Sequence, residues 1–416
     1  MSNASINEFD IVIAGAGMVG ASLACLLAES SLRIALIDRN PLIQGKDSDS
    51  LELHSDKFDP RVSAISQASQ QLFRQLGVWE NINAVRVCNY SAMKVWDAEG
   101  TGSIDFSAAE INEPELGSIV ENSIIIAALH KRIAQLGNIF SITPFSIESF
   151  EYVEREGGLI VKLNADDGQA IRAPLIIAAD GAKSKLRELA NFECREWDYE
   201  QCALVTTVRT QLPHNNTALQ RFMETGPLAF LPLRAAQEDD AQHFCSIVWS
   251  MLPGQAERAM SLSEDEFNSE LAVALESKLG AIEWSDKRFV FPLRQRHALD
   301  YVKKSIVLVG DAAHTIHPLA GQGVNLGLLD AKALAEELLR GAEAGRSVAD
   351  HNVLLRYQRR RKGNNLSMMW LMEGFKRLFG QQALSIRWLR NIGMNAADKM
   401  TPIKNQLIRK AMGLDS

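Results

Sequence analysis

Apolar runs and helical patterns alternate from the beginning of the chain. Phe9 to Ala14 is almost continuously apolar and predicts a buried strand, and Arg33 to Ile37 predicts a second one. Between them, Met18 to Glu29 predicts a helix of small and aliphatic residues. The three segments together predict a β-α-β unit and therefore an α/β fold.

Similar patterns recur further along the chain. Arg61 to Gly77 shows helical apolar spacing closed by a glycine, and Leu326 to Leu339 predicts another helix. Strands are predicted near 159–163, 174–179 and 305–309, the last two ending at Asp-Gly or Gly-Asp turns. The nucleotide-binding unit is therefore expected to be assembled from separated segments.

Ala203 to Thr210 and His243 to Met251 belong to β-rich stretches, which predict an inserted β-sheet unit. From about 350 onward the pattern predicts helix. The expected regions are a discontinuous Rossmann-type unit at 1–89, 116–194 and 296–350, a substrate unit at 90–115 and 195–295, and a helical C-terminal region at 351–416.

Composition adds a charge asymmetry to this plan. The net charge of −7 divides into +10 for residues 351–416 and −17 for the remainder. The basic end is interpreted either as a solvated helix face or as a surface for an anionic membrane or an acidic partner. An apolar stripe lies between Leu366 and Phe379. It is interpreted as packing on its own domain, and docking to a partner subunit or contact with the membrane interface stays open. No nucleic-acid partner is expected.

The five cysteines are widely spaced and show no CxxC or Cys/His ligand pattern, so neither disulfides nor a metal site is expected. Residues 1–10 carry no basic leader region, and no run approaches the roughly 20 apolar residues that span a bilayer. A cytoplasmic location is expected, with peripheral contact at the inner face of the membrane left open.

A glycine motif follows the first strand and begins the first helix. Gly15, Gly17 and Gly20 let a pyrophosphate approach the backbone at the positive end of that helix. Asp38 closes the second strand, where a carboxylate is expected to bind a ribose. These features predict dinucleotide binding but do not distinguish FAD from NAD.

Downstream motifs favour the longer ligand. Gly310-Asp311 follows a strand, and a glycine-rich turn, Gly321-Gln322-Gly323-Val324-Asn325, begins the next helix. The Asp311 carboxylate is suited to accept a hydrogen bond from a ribityl hydroxyl. The amides and the positive helix end at the Gly321 to Asn325 turn are suited to stabilise the negative charge of a reduced flavin. The first and last motifs are nearly 300 residues apart, and FAD is long enough to touch both. Residues His314, His317 and Pro318 are the candidate catalytic groups, and bracing of the turn is the favoured role for the histidines.

Three motifs together resemble the class A flavoprotein aromatic hydroxylases, whose fold is that of p-hydroxybenzoate hydroxylase: Gly15 to Gly20, Asp180-Gly181 to Arg187, and Gly310-Asp311. Asp59 to Ile65 and Val120 to Asn122 are similar to the ubiquinone-biosynthesis hydroxylases. Within these, the chain most resembles the enzymes that hydroxylate C5 of a polyprenylphenol.

The resemblance implies that Arg61, Asn122 and Asp311 contact FAD, and that the Asp180 motif serves both FAD and a transient NAD(P)H donor. It also implies that the Gly321 turn borders the isoalloxazine ring. Asp38 is one methylene shorter than the glutamate frequent in relatives, so its ribose contact is expected to be longer or mediated by water.

The implied reaction is hydroxylation of a polyprenylphenol through a flavin C4a-hydroperoxide, with O2 as cosubstrate. Met223 to Leu233 is interpreted equally as pocket lining or as ordinary sheet core. Other ring positions, other aromatic substrates, a flavin reductase without need of oxygen, and a non-catalytic scaffold stay open. Other ubiquinone-biosynthesis proteins are the expected partners, and a homo-oligomer stays open.

Overall fold

A computed structural model describes residues 7–43, 57–156, 158–235, 241–315 and 323–380, and positions 391, 394, 398, 400, 404–406, 409 and 412. Its strands, numbered in chain order, are β1 Asn7–Glu8, β2 Ile11–Ala14, β3 Ile34–Ile37, β4 Val62–Ser66, β5 Cys88–Tyr90, β6 Ala92–Asp97, β7 Ser103–Ser107, β8 Gly117–Glu121, β9 Ile139–Ile142, β10 Ile147–Arg155, β11 Gly158–Ala165, β12 Ala170–Ala173, β13 Leu175–Ala178, β14 Cys194–Thr210, β15 Thr217–Met223, β16 Gly226–Leu233, β17 Phe244–Met251, β18 Ile282–Ser285, β19 Phe289–Ala298, β20 Val302–Lys303, β21 Ile306–Leu308 and β22 His314–Thr315. Its α-helices are α1 Met18–Leu26, α2 Gln67–Gln75, α3 Trp79–Val85, α4 Asn122–Ile133, α5 Lys185–Leu189, α6 Pro253–Ser261, α7 Glu264–Ala274, α8 Gly323–Glu343 and α9 His351–Gly380, and short 3-10 turns lie at Ala108–Ile111 and Gly310–Ala312.

A six-stranded sheet forms the nucleotide-binding unit, in the order β20-β21-β13-β2-β3-β9. All its pairings are parallel except that of β20 with β21. Strands β2, β3 and β13 are buried throughout, which explains their near-continuous aliphatic sequences. Parallel strands end at the same edge of a sheet, so the loops after β2, β3, β13 and β21 meet there.

The inserted unit is a nine-stranded sheet in the order β22-β19-β14-β17-β16-β15-β6-β7, with β18 paired to β14. Helices α6 and α7 cover one face, where Phe267 and Leu271 pack against Leu204, Phe230 and Ile247. The inserted β-sheet predicted from the sequence is therefore confirmed. The limits set for the three regions remain predictions.

Two smaller sheets complete the described strands. The order is β4-β8-β5 in one and β1-β12-β11-β10 in the other. The strand predicted near 159–163 lies in β11, outside the six-stranded sheet. It pairs antiparallel with β10 and β12.

The helix predicted over Arg61 to Gly77 is wrong in its first part. Val62–Ser66 is a strand that pairs antiparallel with β8, and the helix begins at Gln67. The β-branched Val62 and Ile65 suit a strand whose last four residues are buried. Ser66 then caps the helix, because its hydroxyl accepts a hydrogen bond from the Ser69 amide.

Other differences concern helix limits. Helix α1 ends at Leu26, three residues before the predicted end. Helix α8 extends over Gly323–Glu343, so Gly323, Val324 and Asn325 are helical rather than a turn. Helices α6 and α7 were missed within the β-rich stretch, although Pro253 at the first helical position and Ser263 with Glu266 in a capping box are helix-start signals.

Helix α9 packs against α8, with Val353, Leu354 and Tyr357 buried. Four of its basic side chains pair with acidic groups elsewhere in the chain: Arg356 with Glu337, Arg360 with Glu336, Arg361 with Asp330, and Lys362 with Asp300. These residues support the interpretation that this part of the basic region packs on its own domain. In the described residues, no helix is long and apolar enough to cross a membrane.

Candidate active site

Backbone hydrogen bonds hold the loops at the carboxyl edge of the six-stranded sheet side by side. The Gly15 amide donates to Ile37 O at 2.8 Å, the Ala179 amide to Ala14 O at 2.7 Å, and the Val309 amide to Ala178 O at 3.0 Å. The three motifs that are distant in sequence therefore lie next to one another at this edge.

The three motif glycines have different surroundings. A Cβ on Gly15, whose φ is +106°, would lie 2.2 Å from Ala179 O, and a Cβ on Gly20 would lie 1.9 Å from Gly15 O. Both glycines are therefore required by the packing of the loop on the sheet. A Cβ on Gly17 would meet no atom of the described residues within 4 Å. The open space beside Gly17 fits a ligand that approaches the backbone there.

The N-terminus of α1 is suited to an anion. Gly17 is its N-cap and supplies no side-chain hydrogen bond, and no acidic residue lies in the first turn. The first amides of the helix and the positive end of its dipole favour negative charge at this position. The pyrophosphate of a dinucleotide provides such a charge.

The peptide groups of Ala16, within the glycine loop, are held from two sides. Asp38 Oδ2 accepts a hydrogen bond from the Ala16 amide at 2.8 Å, and His130 Nε2 donates to Ala16 O at 2.7 Å. Asp38 Oδ1 accepts from the Asn40 amide at 2.8 Å. Asp38 therefore braces the loop, and its ribose contact remains a prediction. His130, on α4, was missed by the sequence analysis.

His130 Nδ1 accepts a hydrogen bond from the Ile43 amide at 3.1 Å. One ring nitrogen therefore donates and the other accepts, which requires a neutral ring. Burial lowers the pKa of His130, and this outweighs the opposing effects of Ala16 O and Asp38. The imidazole consequently acts as a fixed brace between the loop and the segment after β3.

The loop after β13 contains Asp180 and Gly181, the latter with a φ of +82°. Asp180 Oδ2 accepts hydrogen bonds from the amides of Lys185 at 2.8 Å and Leu186 at 3.3 Å. Its buried Oδ1 has no partner in the described part of the chain. Burial raises the pKa of the Asp180 carboxyl despite these hydrogen bonds. The free acceptor suits a ligand that donates a hydrogen bond.

Arg187 connects this loop to the turn after β21. Its guanidinium donates to Ala312 O at 3.0 Å and to Ala182 O at 2.8 Å, and the residue is buried. Asp311, in the same turn, is exposed to solvent. The surrounding protein, together with Asp330, nevertheless raises the pKa of its carboxyl. The Asp311 side chain is thus accessible to a ligand.

Arg61 and Asn122 are brought together at one end of the three-stranded sheet. The Asn122 amide donates to Arg61 O at 3.0 Å, and the Asn122 side-chain oxygen accepts from Ser63 Oγ at 2.7 Å. Arg61 is exposed and Asn122 is half-buried. Both side chains lie where a ligand could reach them.

A buried ion pair supports this end of the sheet. Arg86 donates to both carboxylate oxygens of Glu121, at 2.7 and 2.8 Å, and its guanidinium stacks over Phe58. Glu121 also accepts from the Asp59 amide at 2.7 Å. The two motifs that contain Arg61 and Asn122 are thus tied together through Arg86, a second residue missed by the sequence analysis.

The glycine-rich turn is described only in part. Residues His317, Pro318, Gly321 and Gln322 lie outside the described residues. Gly323 and Val324 form the first turn of α8.

Asn325 is buried and faces protein groups. Its side-chain oxygen accepts from the Ser66 amide and the Ser69 hydroxyl, and its amide group donates to Ala64 O at 2.8 Å. The Asn325 side chain thus joins α8 to β4 and α2.

His314 is 1% exposed, and its Nε2 lies 2.5 Å from Asp330 Oδ2. Burial opposes ionisation of Asp330, but His314 and Arg361 outweigh it and lower the pKa of the carboxyl to about 2. The ionised carboxylate only accepts hydrogen bonds, so Nε2 carries the proton. This contact places His314 as a brace of the turn, and a catalytic role remains a prediction.

The open cradle at Gly17, the uncapped helix terminus and the accessible Asp311 fit a cofactor that carries a pyrophosphate and continues to the far end of the sheet edge. Asp180 and Gly181 lie at the same edge, and Arg61 and Asn122 lie at the end of the three-stranded sheet. This donor set fits FAD, and the contacts of the individual residues remain proposals.

Solved structures share the architecture. PqsL from Pseudomonas aeruginosa superposes with a TM-score of 0.75 and 18% identity, over 94% of this chain and 100% of PqsL. The p-nitrophenol 4-monooxygenase PnpA from Pseudomonas putida DLL-E4 gives a TM-score of 0.75 and 16% identity, over 98% and 99% of the two chains. At these identities the likeness establishes the fold alone.

Relatives of similar length are closer in sequence. The 3-demethoxyubiquinol 3-hydroxylase of Escherichia coli K12 is 36% identical over 97% of this chain and 98% of its own. The mitochondrial ubiquinone biosynthesis monooxygenase COQ6 of Xenopus tropicalis is 32% identical over 96% and 92%, respectively. The ubiquinone hydroxylase UbiL of Rhodospirillum rubrum is 31% identical over 97% and 89%.

The profile of the FAD binding domain family matches residues 8–365, which include all three motifs. The predicted FAD cofactor, the fold class and the monooxygenase class are thereby confirmed. The chain belongs to the FAD binding domain family of flavoprotein monooxygenases and, within it, to the ubiquinone-biosynthesis hydroxylases.

Proposed function

We propose that this FAD-dependent monooxygenase hydroxylates the aromatic ring of a polyprenylphenol at C5, with O2 as cosubstrate and NAD(P)H as a transient electron donor. The observation that carries the proposal is the similarity, over nearly the whole chain, to enzymes named for ubiquinone biosynthesis. When bound, FAD supplies the activation of oxygen. The protein supplies binding, orientation and exclusion of water.

The inserted sheet offers an apolar face for such a substrate. Val205 and Val248 lie on the face opposite α6 and α7, packed beside Ala203 and Leu293. Phe289 and Phe291 are exposed by 38% and 42% at the neighbouring strand. An apolar surface of this kind favours a bulky prenylated ring over a charged substrate.

This face is directed toward the FAD-binding unit. Leu231 on β16 packs with Phe58, Ala64 and Ile119, which belong to β4, β8 and the segment before them. Within the stretch 223–233, by contrast, Leu228 and Phe230 belong to the core beneath α6 and α7. Leu228 and Phe230 thus fit the interpretation of this stretch as sheet core. We propose that side chains on the opposite face, such as Leu231, line the substrate pocket.

A second candidate is the same chemistry at another ring carbon. It is favoured by the 36% identity to an enzyme named 3-demethoxyubiquinol 3-hydroxylase, whose ring position differs from the proposed one. The motifs described above are proposed to bind the cofactor and are compatible with either ring position. Regiochemistry of the product therefore decides between the two.

The decisive experiment incubates the purified holoprotein with a 2-polyprenylphenol or with a demethoxyubiquinol, in air and under nitrogen. NADH, NADPH or photoreduced flavin serves as electron source, and mass spectrometry with NMR locates the new hydroxyl. Oxygen-dependent hydroxylation at C5 of the polyprenylphenol is expected. Conversion of the demethoxyubiquinol alone would favour the second candidate, and flavin turnover without hydroxylation of either compound would contradict both.

Association with other ubiquinone-biosynthesis proteins, a homo-oligomer and peripheral contact with a membrane remain proposals. Pull-down from cell extract, analytical ultracentrifugation and flotation with anionic vesicles test the three in turn.

A further inference from the structure

One buried carboxylate connects the FAD-facing turn to the C-terminal helix. Asp330 lies on α8 with no solvent exposure. Its Oδ2 accepts hydrogen bonds from His314 Nε2 at 2.5 Å and from the Gly310 amide at 3.2 Å. Its Oδ1 accepts from Arg361 Nε at 2.7 Å and from Asn365 Nδ2 at 3.1 Å. Each oxygen thus serves a different part of the fold.

The Gly310–Ala312 turn depends on its hydrogen bond to Asp330. Gly310 has a φ of +57°, and a Cβ there would lie 3.2 Å from the Val19 side chain. Its amide follows a strand end in the buried interior, where an unpaired donor would be costly. Arg187 holds the other end of the same turn through Ala312 O. Asp311 therefore projects from a turn that is fixed on both sides.

The partners on α9 are themselves fixed. Arg361 Nη2 donates to Asn365 Oδ1 at 3.0 Å, and Asn365 Nδ2 also lies 3.3 Å from Tyr301 Oη. Both residues are buried. The positive charge of Arg361 balances the carboxylate in the interior, where an isolated charge would be strongly unfavourable.

We propose that Asp330, held by Arg361 and Asn365, is the positioning residue that sets Asp311 and His314 for FAD binding, so that helix α9 is a structural component of the cofactor site. The inference rests on the proposed contact of Asp311 with FAD. His314 acts through Asp330 as a second positioning residue. No role in the hydroxylation step is required of either.

A matched control lies two helical turns away. Glu337 is also a buried carboxylate of α8, and it accepts from Arg356 of α9 at 2.7 Å and from Arg340 at 2.9 Å. No described contact joins it to the Gly310–Ala312 turn. Asp330→Asn and Glu337→Gln therefore weaken the same helix pair, but only the first replaces the acceptor of the turn.

The test compares the two variants with wild type by reconstituting each apoprotein with FAD and measuring the dissociation constant from flavin fluorescence. Unfolding midpoints of apoprotein and holoprotein and the visible spectrum of bound flavin are recorded in parallel. Both variants are expected to unfold earlier, whereas only Asp330→Asn weakens FAD binding, by about tenfold or more. Equal FAD affinities in the two variants would overturn the proposal.

If Asp330→Asn does not fold, His314→Gln and His314→Leu provide the same test. The glutamine side chain retains a donor near the position of Nε2, and leucine removes it. The proposal expects FAD affinity close to wild type for His314→Gln and a loss of about tenfold for His314→Leu. Indistinguishable affinities would contradict it. These measurements involve no phenol, so failure of the proposed hydroxylation would leave their outcome unchanged.

Discussion

At the scale of single residues, the glycine loop depends on a clamp around Ala16. Asp38 holds the Ala16 amide and His130 holds the Ala16 carbonyl, so the two peptide groups that flank Ala16 are each fixed in orientation. A loop that must present amides to a pyrophosphate benefits from such fixation, because binding then orders little further backbone. We therefore expect the half-buried Asp38 and the buried His130 to influence cofactor affinity.

We expect His130→Leu to weaken FAD binding by about tenfold and to lower the free energy of unfolding by about 1–3 kcal/mol, because two buried backbone groups lose their partner. His214→Leu is the matched control. His214 is also buried and bonds Leu233 O at 3.0 Å and the Asn216 amide at 3.1 Å, away from the sheet edge. Fluorescence titration with FAD and urea unfolding check both variants, and equal loss of FAD affinity would refute the clamp.

Sequence patterns identified the residues that belong to a motif. They did not identify the residues elsewhere in the chain that hold the motif in place. Gly15, Gly17, Gly20 and Asp38 have a fixed spacing, which is visible in the chain. His130 lies 114 residues from Ala16, and a single histidine on a helix carries no signal of its partner. Asn325 was identified by its motif position, but its side-chain partners Ala64, Ser66 and Ser69 were not. Its contact with the flavin stays a prediction.

At the scale of elements, the β2-loop-α1 unit separates two reasons for glycine. Gly20 lets the helix begin directly against the loop, since its Cβ would overlap Gly15 O. Gly17 has a φ of −69° and a ψ of −177°, and no contact with the described residues demands glycine there. We therefore expect glycine at this position to leave room for the ligand.

Gly17→Ala is therefore expected to change the free energy of unfolding of the apoprotein by less than about 1 kcal/mol. Its FAD affinity is expected to fall by about tenfold or more, because the methyl group occupies the approach to the backbone. Gly20→Ala is expected to destabilise the apoprotein by about 2 kcal/mol or more through the overlap with Gly15 O. Chemical unfolding with and without FAD distinguishes the two, and unaltered FAD affinity in Gly17→Ala would contradict the cradle.

Elements with a strong periodic signal were predicted well, and short ones that depend on pairing were not. Strands β2, β3, β13 and β21 are buried throughout, so their aliphatic runs identify them without knowledge of their neighbours. The residues of strand β4 were predicted as part of the helix that follows, because these five residues form a strand only by pairing with β8. Helices α6 and α7 show that a region assigned by its strands can still contain helices with ordinary capping signals.

At the scale of the whole molecule, the C-terminal region reaches from the FAD-binding unit to the inserted sheet. Arg361 donates a hydrogen bond to Asp330, which also accepts one from the Gly310 amide in the Gly310–Ala312 turn. Asn391 bonds the Gly102 amide and Asp97 at the β6–β7 hairpin, and Met394 packs with Val95 and Phe222. These contacts join the two units through the C-terminal region. From composition alone, this region was interpreted either as a solvated helix face or as a surface for an anionic membrane or an acidic partner.

Lys404 is a further buried charge in this connection. Its Nζ lies 2.9 Å from Glu110 and 3.0 Å from Asp398, and its side chain is 6% exposed. Burial disfavours the ammonium ion, but the two carboxylates outweigh it and raise the pKa of Lys404.

We expect Lys404→Met to lower the free energy of unfolding by about 1–3 kcal/mol, since two half-exposed carboxylates lose their cation. Lys404→Arg is expected to retain most of the stability. Urea unfolding measures both variants, and wild-type stability in Lys404→Met would show that the contact contributes little.

Stability of the whole molecule toward acid follows from its buried histidines. Burial lowers the pKa of His130, His214 and His297, and for His297, with a further contribution from His314, the pKa falls to about 4 from an ordinary value of 6.5. Below pH 6.5 these three histidines therefore bind more protons in the unfolded chain than in the folded one, and their contribution to the free energy of unfolding falls as the pH falls. The contribution of Asp330, whose pKa is lowered to about 2, remains nearly complete above about pH 4 and is lost only in stronger acid.

His297→Gln isolates one of these groups. The wild-type holoprotein is expected to lose about 2 kcal/mol more than this variant between pH 7.5 and pH 5, because the variant has no imidazole to protonate on unfolding. Asp180 and Asp311, whose raised pKa values act in the opposite direction, are present in both proteins and cancel in the comparison. Urea unfolding across this pH range tests the expectation, and parallel curves for the two proteins would mean that His297 is protonated as readily in the folded chain as in the unfolded one.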